Sequence, residues 1–178
     1  MKKQTGPDLT IRWKRNADGS AALTCTRADG SVTWQRQTGS YGHVFSAHDL
    51  THYAIETVLG YEHGFYGLLA AGWEMSDFSS PWSRGTIPAE AREVELLVGL
   101  FDTERRMGET WSAAEFQAQG ELYAASHRKG RTAVTVPVLS DEKVKKIRGL
   151  RDELLERWAT VPPGEALELS FHRTNPIA

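Results

Sequence analysis

Two copies of one tetrapeptide, Ala17-Asp18-Gly19-Ser20 and Ala28-Asp29-Gly30-Ser31, constrain the fold of this chain more than any other feature. Asp-Gly supplies the positive φ that a tight hairpin turn demands. The flanking residues alternate with a period of two. Leu9, Ile11 and Trp13 alternate with Thr10, Arg12 and Lys14; Leu23 and Cys25 with Thr24 and Thr26; Val32 and Trp34 with Thr33 and Gln35. Such alternation marks half-buried strands. A three-stranded antiparallel meander is therefore expected at the start of the chain, with one turn chemistry used twice rather than a repeat architecture.

After the polar link Thr38-Gly39-Ser40-Tyr41-Gly42, the pattern turns helical. Ser46 is placed to cap a first helix, with Asp49 as its capping-box partner, and Gly60 ends it after Leu59. A second, apolar stretch runs from Phe65 to about Trp73. The third helix starts near Pro88, carries its core stripe on Val94, Leu97, Val98 and Phe101, and stops before Gly108. The fourth spans Ser112 to about Arg128, and Ala133 to Val138 reads as a short edge strand containing Pro137. Ser140 caps the last helix, whose stripe is Val144, Ile147, Leu150, Leu154, Leu155 and Trp158; Leu167, Leu169 and Phe171 then alternate in a final strand. The expected architecture is one α+β domain over residues 1–178: about four antiparallel strands, the meander plus the C-terminal strand, covered by about five helices.

Composition narrows the function. With 178 residues and 40% hydrophobic content the chain can bury a real core, and a net charge of -2 lacks the positive excess of a nucleic-acid or membrane-surface binder. No run of residues has the length and apolarity of a membrane span, and no signal peptide is read at the start. A cytoplasmic protein that meets a small molecule or another protein is expected. The single cysteine, Cys25, has no partner for an internal disulfide and reads as an inert buried thiol. The dense basic run His127-Arg128-Lys129-Gly130-Arg131 coincides with a helix C-terminus, where cations are favoured without a nucleic-acid partner.

The chemistry concentrates in His48-Asp49-Leu50-Thr51-His52, with Glu56 four residues on. On a helix, residues four apart share a face, so His48 and His52 line up as ligands for a divalent transition ion, zinc first among them. His48 is expected in the first helical turn, where the dipole favours the neutral imidazole that a metal needs. Glu56 is either a further ligand or the carboxylate that accepts a hydrogen bond from His52 and fixes its tautomer, since its Cα lies roughly 12 Å from that of His48 at a rise of about 1.5 Å per residue. The remaining ligand is sought at Glu74, His63 or a carboxylate of the third helix such as Glu95. The expected metal set is thus His48, His52, Glu56 and Glu74, with Asp49 and Glu56 as candidate catalytic carboxylates. The bland alternatives are a capping role for Asp49, an ordinary surface pair for His52 and Glu56, and a core role for Tyr53, Phe65, Tyr66 and Trp73, which otherwise line an apolar ligand pocket.

His48-Asp49-x-x-His52 resembles the zincin metalloprotease motif with Asp in place of Glu, and Glu74 followed by Ser76 and Asp77 is similar to the later Glu-bearing element of that family. That resemblance implies a zinc hydrolase in which Asp49 polarises the metal-bound water. The His48-Asp49 doublet also resembles that of HD-type phosphohydrolases, although His43, five residues upstream, is the nearest earlier histidine. The stretch from Phe45 to Phe78 resembles a group of uncharacterised bacterial proteins carrying His-Asp-Leu-x-His-x-x-x-Glu followed by Gly-Phe-x-Gly-Leu. Two functions are expected to compete: a metal-dependent hydrolase, and a non-catalytic domain that binds a small ligand or protein and whose His/Glu cluster is structural.

Overall fold

In the computed structural model of the chain, the residues described are 6–37, 42–79, 81, 83–126 and 134–173, with backbone alone at 42 and 43. The meander forms as β1 (Leu9–Arg15), β2 (Ala21–Arg27) and β3 (Val32–Gln37), and β4 (Ala166–Phe171) joins it against β1. The sheet order is β3-β2-β1-β4 with every pair antiparallel. Both Asp-Gly turns work as the sequence implies. Gly19 and Gly30 take φ of 79° and 86°, and the Asp18 and Asp29 carboxylates accept the amides of Ser20 and Ser31 at 3.0 and 2.9 Å.

Among the described residues five α-helices complete the α+β arrangement: α1 (Gly42–Leu59), α2 (Phe65–Ala70), α3 (Ala89–Met107), α4 (Ala113–Ser126) and α5 (Asp141–Thr160), with a 3-10 turn at Met75–Phe78. The inward residues of the sheet, Leu9, Ile11, Trp13, Leu23, Cys25, Leu167 and Phe171, pack with Leu50 and Tyr53 of α1, Tyr66 and Leu69 of α2, and Leu154 and Trp158 of α5. A second cluster joins Ala54, Ile55 and Val58 of α1 to Val94, Leu97, Val98 and Phe101 of α3, Phe116 of α4 and Ile147 of α5. α1 therefore lies between the two clusters, one flank on the sheet side and the other on α3. Among the described residues no helix is long and apolar enough to cross a membrane.

Several local expectations are corrected. α1 begins at Gly42, four residues ahead of the expected cap, so Ser46 is a buried interior residue. Its hydroxyl donates to Gln37 Oε1 at 3.2 Å, and Gln37 Nε2 donates to Asp49; a long-range amide has taken both groups that the sequence offers as a capping box. β3 faces the opposite way from its apolar pattern. Pairing of Thr33 with the inward Cys25 turns Thr33 and Gln37 inward and leaves Trp34 64% exposed. α2 stops at Ala70, before the expected Trp73, because Gly72 takes φ of 98° and the buried Arg27 guanidinium draws in the carbonyls of Leu69 and Trp73. Residues 134–138 form no strand; Val134 and Val136 pack against the second cluster, and Val136 fills the space above Gly120. The proposed link at 38–41, the end of the fourth helix at Arg128, the basic run 127–131 and Ala133 lie outside the described residues.

α3 and α5 follow their sequence signals. Pro88 and Gly108 flank α3, with Gly108 left-handed at φ 67°, and Ser140 Oγ accepts the Lys143 amide at 3.3 Å. A buried ion cluster fastens the two helices. Glu104 accepts from Arg148 Nη2 at 2.5 Å, from Arg151 Nη1 at 3.3 Å and from the Trp111 amide at 2.9 Å. Removing the carboxylate leaves the part-buried Arg148 guanidinium without an anion, while Arg151 keeps Asp152 at 2.8 Å, and breaking a buried pair in this way costs about 3–5 kcal/mol. Glu104→Ala is therefore expected to lower the urea unfolding free energy by about that amount, whereas Glu142→Ala, which removes an exposed pair with Lys146 and a first-turn carboxylate, is expected to lower it by no more than about 1 kcal/mol.

Candidate metal centre

The site is assembled by α1 and α3 packing side by side in opposite directions. Partners of residues 48 and 52 on α1 are residues 102 and 95 on α3, so chain order on one helix reverses on the other. His48 and His52 lie one turn apart with ring centroids 4.9 Å apart and planes inclined by 72°. Glu95 of α3 reaches across to both. Its Oε1 is 3.2 Å from His52 Nε2, and its Oε2 is 3.8 Å from His48 Nε2. His48, His52 and Glu95 each offer one ligand atom within 4.8 Å of the others, a group that can hold a metal ion.

The far side of each ring faces a second carboxylate. His48 Nδ1 is 3.1 Å from Asp102 Oδ2, and His52 Nδ1 is 3.4 Å from Glu56 Oε1. A carboxylate at Nδ1 holds the proton there and leaves Nε2 as the donor atom for an ion, which is how metal-binding imidazoles are oriented. Asp102 is itself steadied by Thr51 Oγ1 at 3.4 Å. Glu56 is steadied more firmly. It is fully buried, and its other oxygen accepts the amides of Tyr66 and Gly67, at 2.9 and 3.2 Å, in the first turn of α2.

This explains the Gly-Phe-x-Gly string that follows the histidines. A Cβ on Gly64 would lie 2.4 Å from Glu56 Cδ, and one on Gly67 would lie 2.2 Å from the Glu62 carbonyl oxygen. Only glycine at 64 leaves room for the carboxylate to reach the helix amides. Phe65, between them, lays its ring 5.4 Å from that of His52 and 4.9 Å from Phe78. Tyr53 and Tyr66 belong to the sheet-side core, where the Tyr66 hydroxyl donates to the Asp49 carbonyl at 3.0 Å.

The electrostatics follow from this packing. Burial opposes a charge on His52, yet the Glu95 charge and the hydrogen bonds of Glu56 and Glu95 prevail and hold its pKa up at about 10. Burial likewise pushes against ionisation of Glu95, but attraction and hydrogen bonding from His52 bring its carboxyl down to about 2. Burial raises Glu56, against the opposing hydrogen bonds from His52 and the two amides. Without an ion, His52 is thus held towards its protonated form between Glu56 and Glu95.

The other expected residues stand elsewhere. Asp49 is buried and bound to Gln37 of β3; burial pushes its pKa up to about 6, and it contributes no atom to the converging group. Glu74 is not brought to the histidines. It pairs with Arg27 Nη2 at 3.0 Å and caps the 3-10 turn, because the buried Arg27 cation requires an anion. Glu56 serves as the partner of His52, and His63 is exposed beside Glu90, with 3.6 Å from Nδ1 to Oε2. Since α1 starts at Gly42, His48 sits in its second turn and the helix dipole acts on it more weakly than expected. Asp102 was not foreseen. Its only sequence signal is a spacing of seven from Glu95, which places both on one face of α3.

Two predictions follow from these contacts. Gly64→Ala overpacks the Glu56 carboxylate and is expected to cost about 1–3 kcal/mol, while Gly149→Ala, in α5 with nothing within 4 Å, is expected to stabilise by about 0.5–1 kcal/mol; urea titration measures both. The second concerns pH. The folded pKa of His52, about 10, lies above that of a free imidazole, so its contribution to stability is complete below about pH 6.5 and is lost as pH rises towards 10. In EDTA, the stability difference between wild type and His52→Asn is expected to shrink steadily from pH 7 to pH 10.

No protein-family model, curated protein or solved structure matches this chain.

Proposed function

We propose that the protein is a metal-dependent hydrolase whose centre holds one divalent transition ion, zinc by the chemistry of its donors, on His48, His52 and Glu95. The observation that carries this reading is the two-sided environment of each imidazole, with a carboxylate at Nδ1 and the shared Glu95 at Nε2. Two ligand atoms about 2.1 Å from a tetrahedral zinc stand roughly 3.4 Å apart. The two Nε2-to-Glu95 separations, 3.2 and 3.8 Å, bracket that edge. Two histidines and one glutamate also make a three-ligand set that leaves a fourth position for water, as catalytic zinc sites do.

In this reading Glu56 and Asp102 are positioning residues, each holding one ring by its Nδ1 proton. Of the two imidazoles His48 is the more open, its side chain 35% exposed beside a Glu95 side chain 57% exposed, and the side of the centre next to them admits substrate. Zinc, when bound, lowers the pKa of a water on the free position towards neutrality and so supplies the nucleophile. Asp49 takes no part in activating that water; it holds the helix to the sheet through Gln37.

A second reading is favoured by one observation: His52 already has hydrogen-bonding carboxylates on both sides, so the cluster is self-consistent as a structural feature of a non-catalytic ligand- or protein-binding domain. One set of measurements separates the two. Zinc at a hundred times its dissociation constant should stabilise the untagged protein by about 2.7 kcal/mol. Between about pH 6.5 and 9 each zinc should displace close to one proton from His52, so that affinity climbs about tenfold per pH unit and levels off as pH passes about 10. His52→Ala and Glu95→Gln should abolish zinc uptake, and hydrolysis of a panel of chromogenic esters and phosphoesters should follow zinc content. A midpoint indifferent to both zinc and EDTA would leave the structural reading in its place.

A further inference from the structure

We infer that the centre takes small molecules that join a metal-binding head to an apolar body, and that the body lies over Val44 and Phe45; this rests on the metal reading above. Three of the four sides of α1 are spoken for. Ala54, Ile55 and Val58 face α3, Leu50 and Tyr53 face the sheet, and Glu56 is sealed beneath the start of α2. Towards the helix start a stripe carrying Val44, Phe45, His48 and His52 lies within one sector of about 100°, which α3 covers further along at Ile55 and leaves open at Val44 and Phe45. Glu95 walls the stripe on one side and Phe65, against His52, on the other.

The stripe is closed at the His52 end and open at the other. His52 is 2% exposed, covered by Phe65 and reached by Glu95. In the other direction, one turn before His48, the floor consists of two adjacent large apolar side chains facing solvent, Val44 at 58% and Phe45 at 48% exposure. Single exposed apolar residues are ordinary, but here two lie one turn from a cluster of ionisable ligands, at the open end of the stripe. A ligand whose head occupies the free metal position and whose body points towards the helix start covers this surface. A wholly polar ligand leaves it wet.

The test uses the intact protein loaded with Co(II), whose visible spectrum reports binding at the free position, titrated with acetohydroxamate and with octanohydroxamate. Six added methylenes on a half-exposed apolar floor should tighten binding by about tenfold, well short of what full burial would give. Phe45→Ser should bring the ratio of the two affinities close to one. Phe45→Leu should keep it, and so should Leu122→Ser, which removes an exposed apolar side chain from α4. Because Phe45 is half exposed and supports neither core cluster, the substitutions test the surface rather than the fold. A wild-type ratio near one, or a high ratio untouched by Phe45→Ser, overturns this inference while the Co(II) spectrum still attests the centre. Failure of the wild-type protein to take up Co(II) overturns both readings.

Discussion

A single buried carboxylate, that of Glu56, ties together the parts of the molecule on which the candidate centre depends. One oxygen faces His52 and the other accepts two amides at the start of α2, so the last turn of α1, the following turn and the second helix share one anion. Placing a carboxylate in such a dry position is costly unless its lone pairs are occupied. Here they are occupied by an imidazole and by the positive end of a short helix. The same anchoring selects glycine at 64, since any side chain there collides with the carboxylate.

Opposed packing of α1 and α3 supplies what Glu56 cannot. His48 and His52 come from one helix, Glu95 and Asp102 from another some fifty positions later, and the two pairs interleave because the helices run in opposite directions. The arrangement puts the charged groups at the upper edge of the helix pair while Ala54, Ile55, Val58, Val94 and Val98 close the interior beneath them. Ionisable residues there have low-dielectric packing on one side and solvent on the other. Strong pKa displacement of His52 and Glu95 in opposite directions is the outcome.

Much of the fold was legible because its determinants are local. Asp-Gly turns, strict alternation in β1 and β2, the flanking Pro88 and Gly108 of α3, and Ser140 ahead of α5 all act within a few residues of themselves. The misreadings share a different cause: a side chain was claimed from far along the chain. Gln37 took Ser46 and Asp49, which lengthened α1 by a turn; Arg27 took the Leu69 carbonyl of α2, the Trp73 carbonyl beyond it and the Glu74 carboxylate; Cys25 opposite Thr33 decided which face of β3 turns inward. At the centre, the two histidines and the role of Glu56 could be read from four-residue spacing. Glu95 stood as one candidate among several and Asp102 was invisible, because a carboxylate on a neighbouring helix is selected by packing and leaves no mark beside the residues it serves.

The Gln37 amide has a mechanical consequence. It belongs to β3, an edge of the sheet, and grips Ser46 and Asp49, which straddle His48 along α1. The border strand and the turn that bears the more accessible imidazole are therefore joined by side-chain hydrogen bonds as well as by the chain. The edge of the sheet is thus fastened directly to the residues on either side of that imidazole, two before it and one after it.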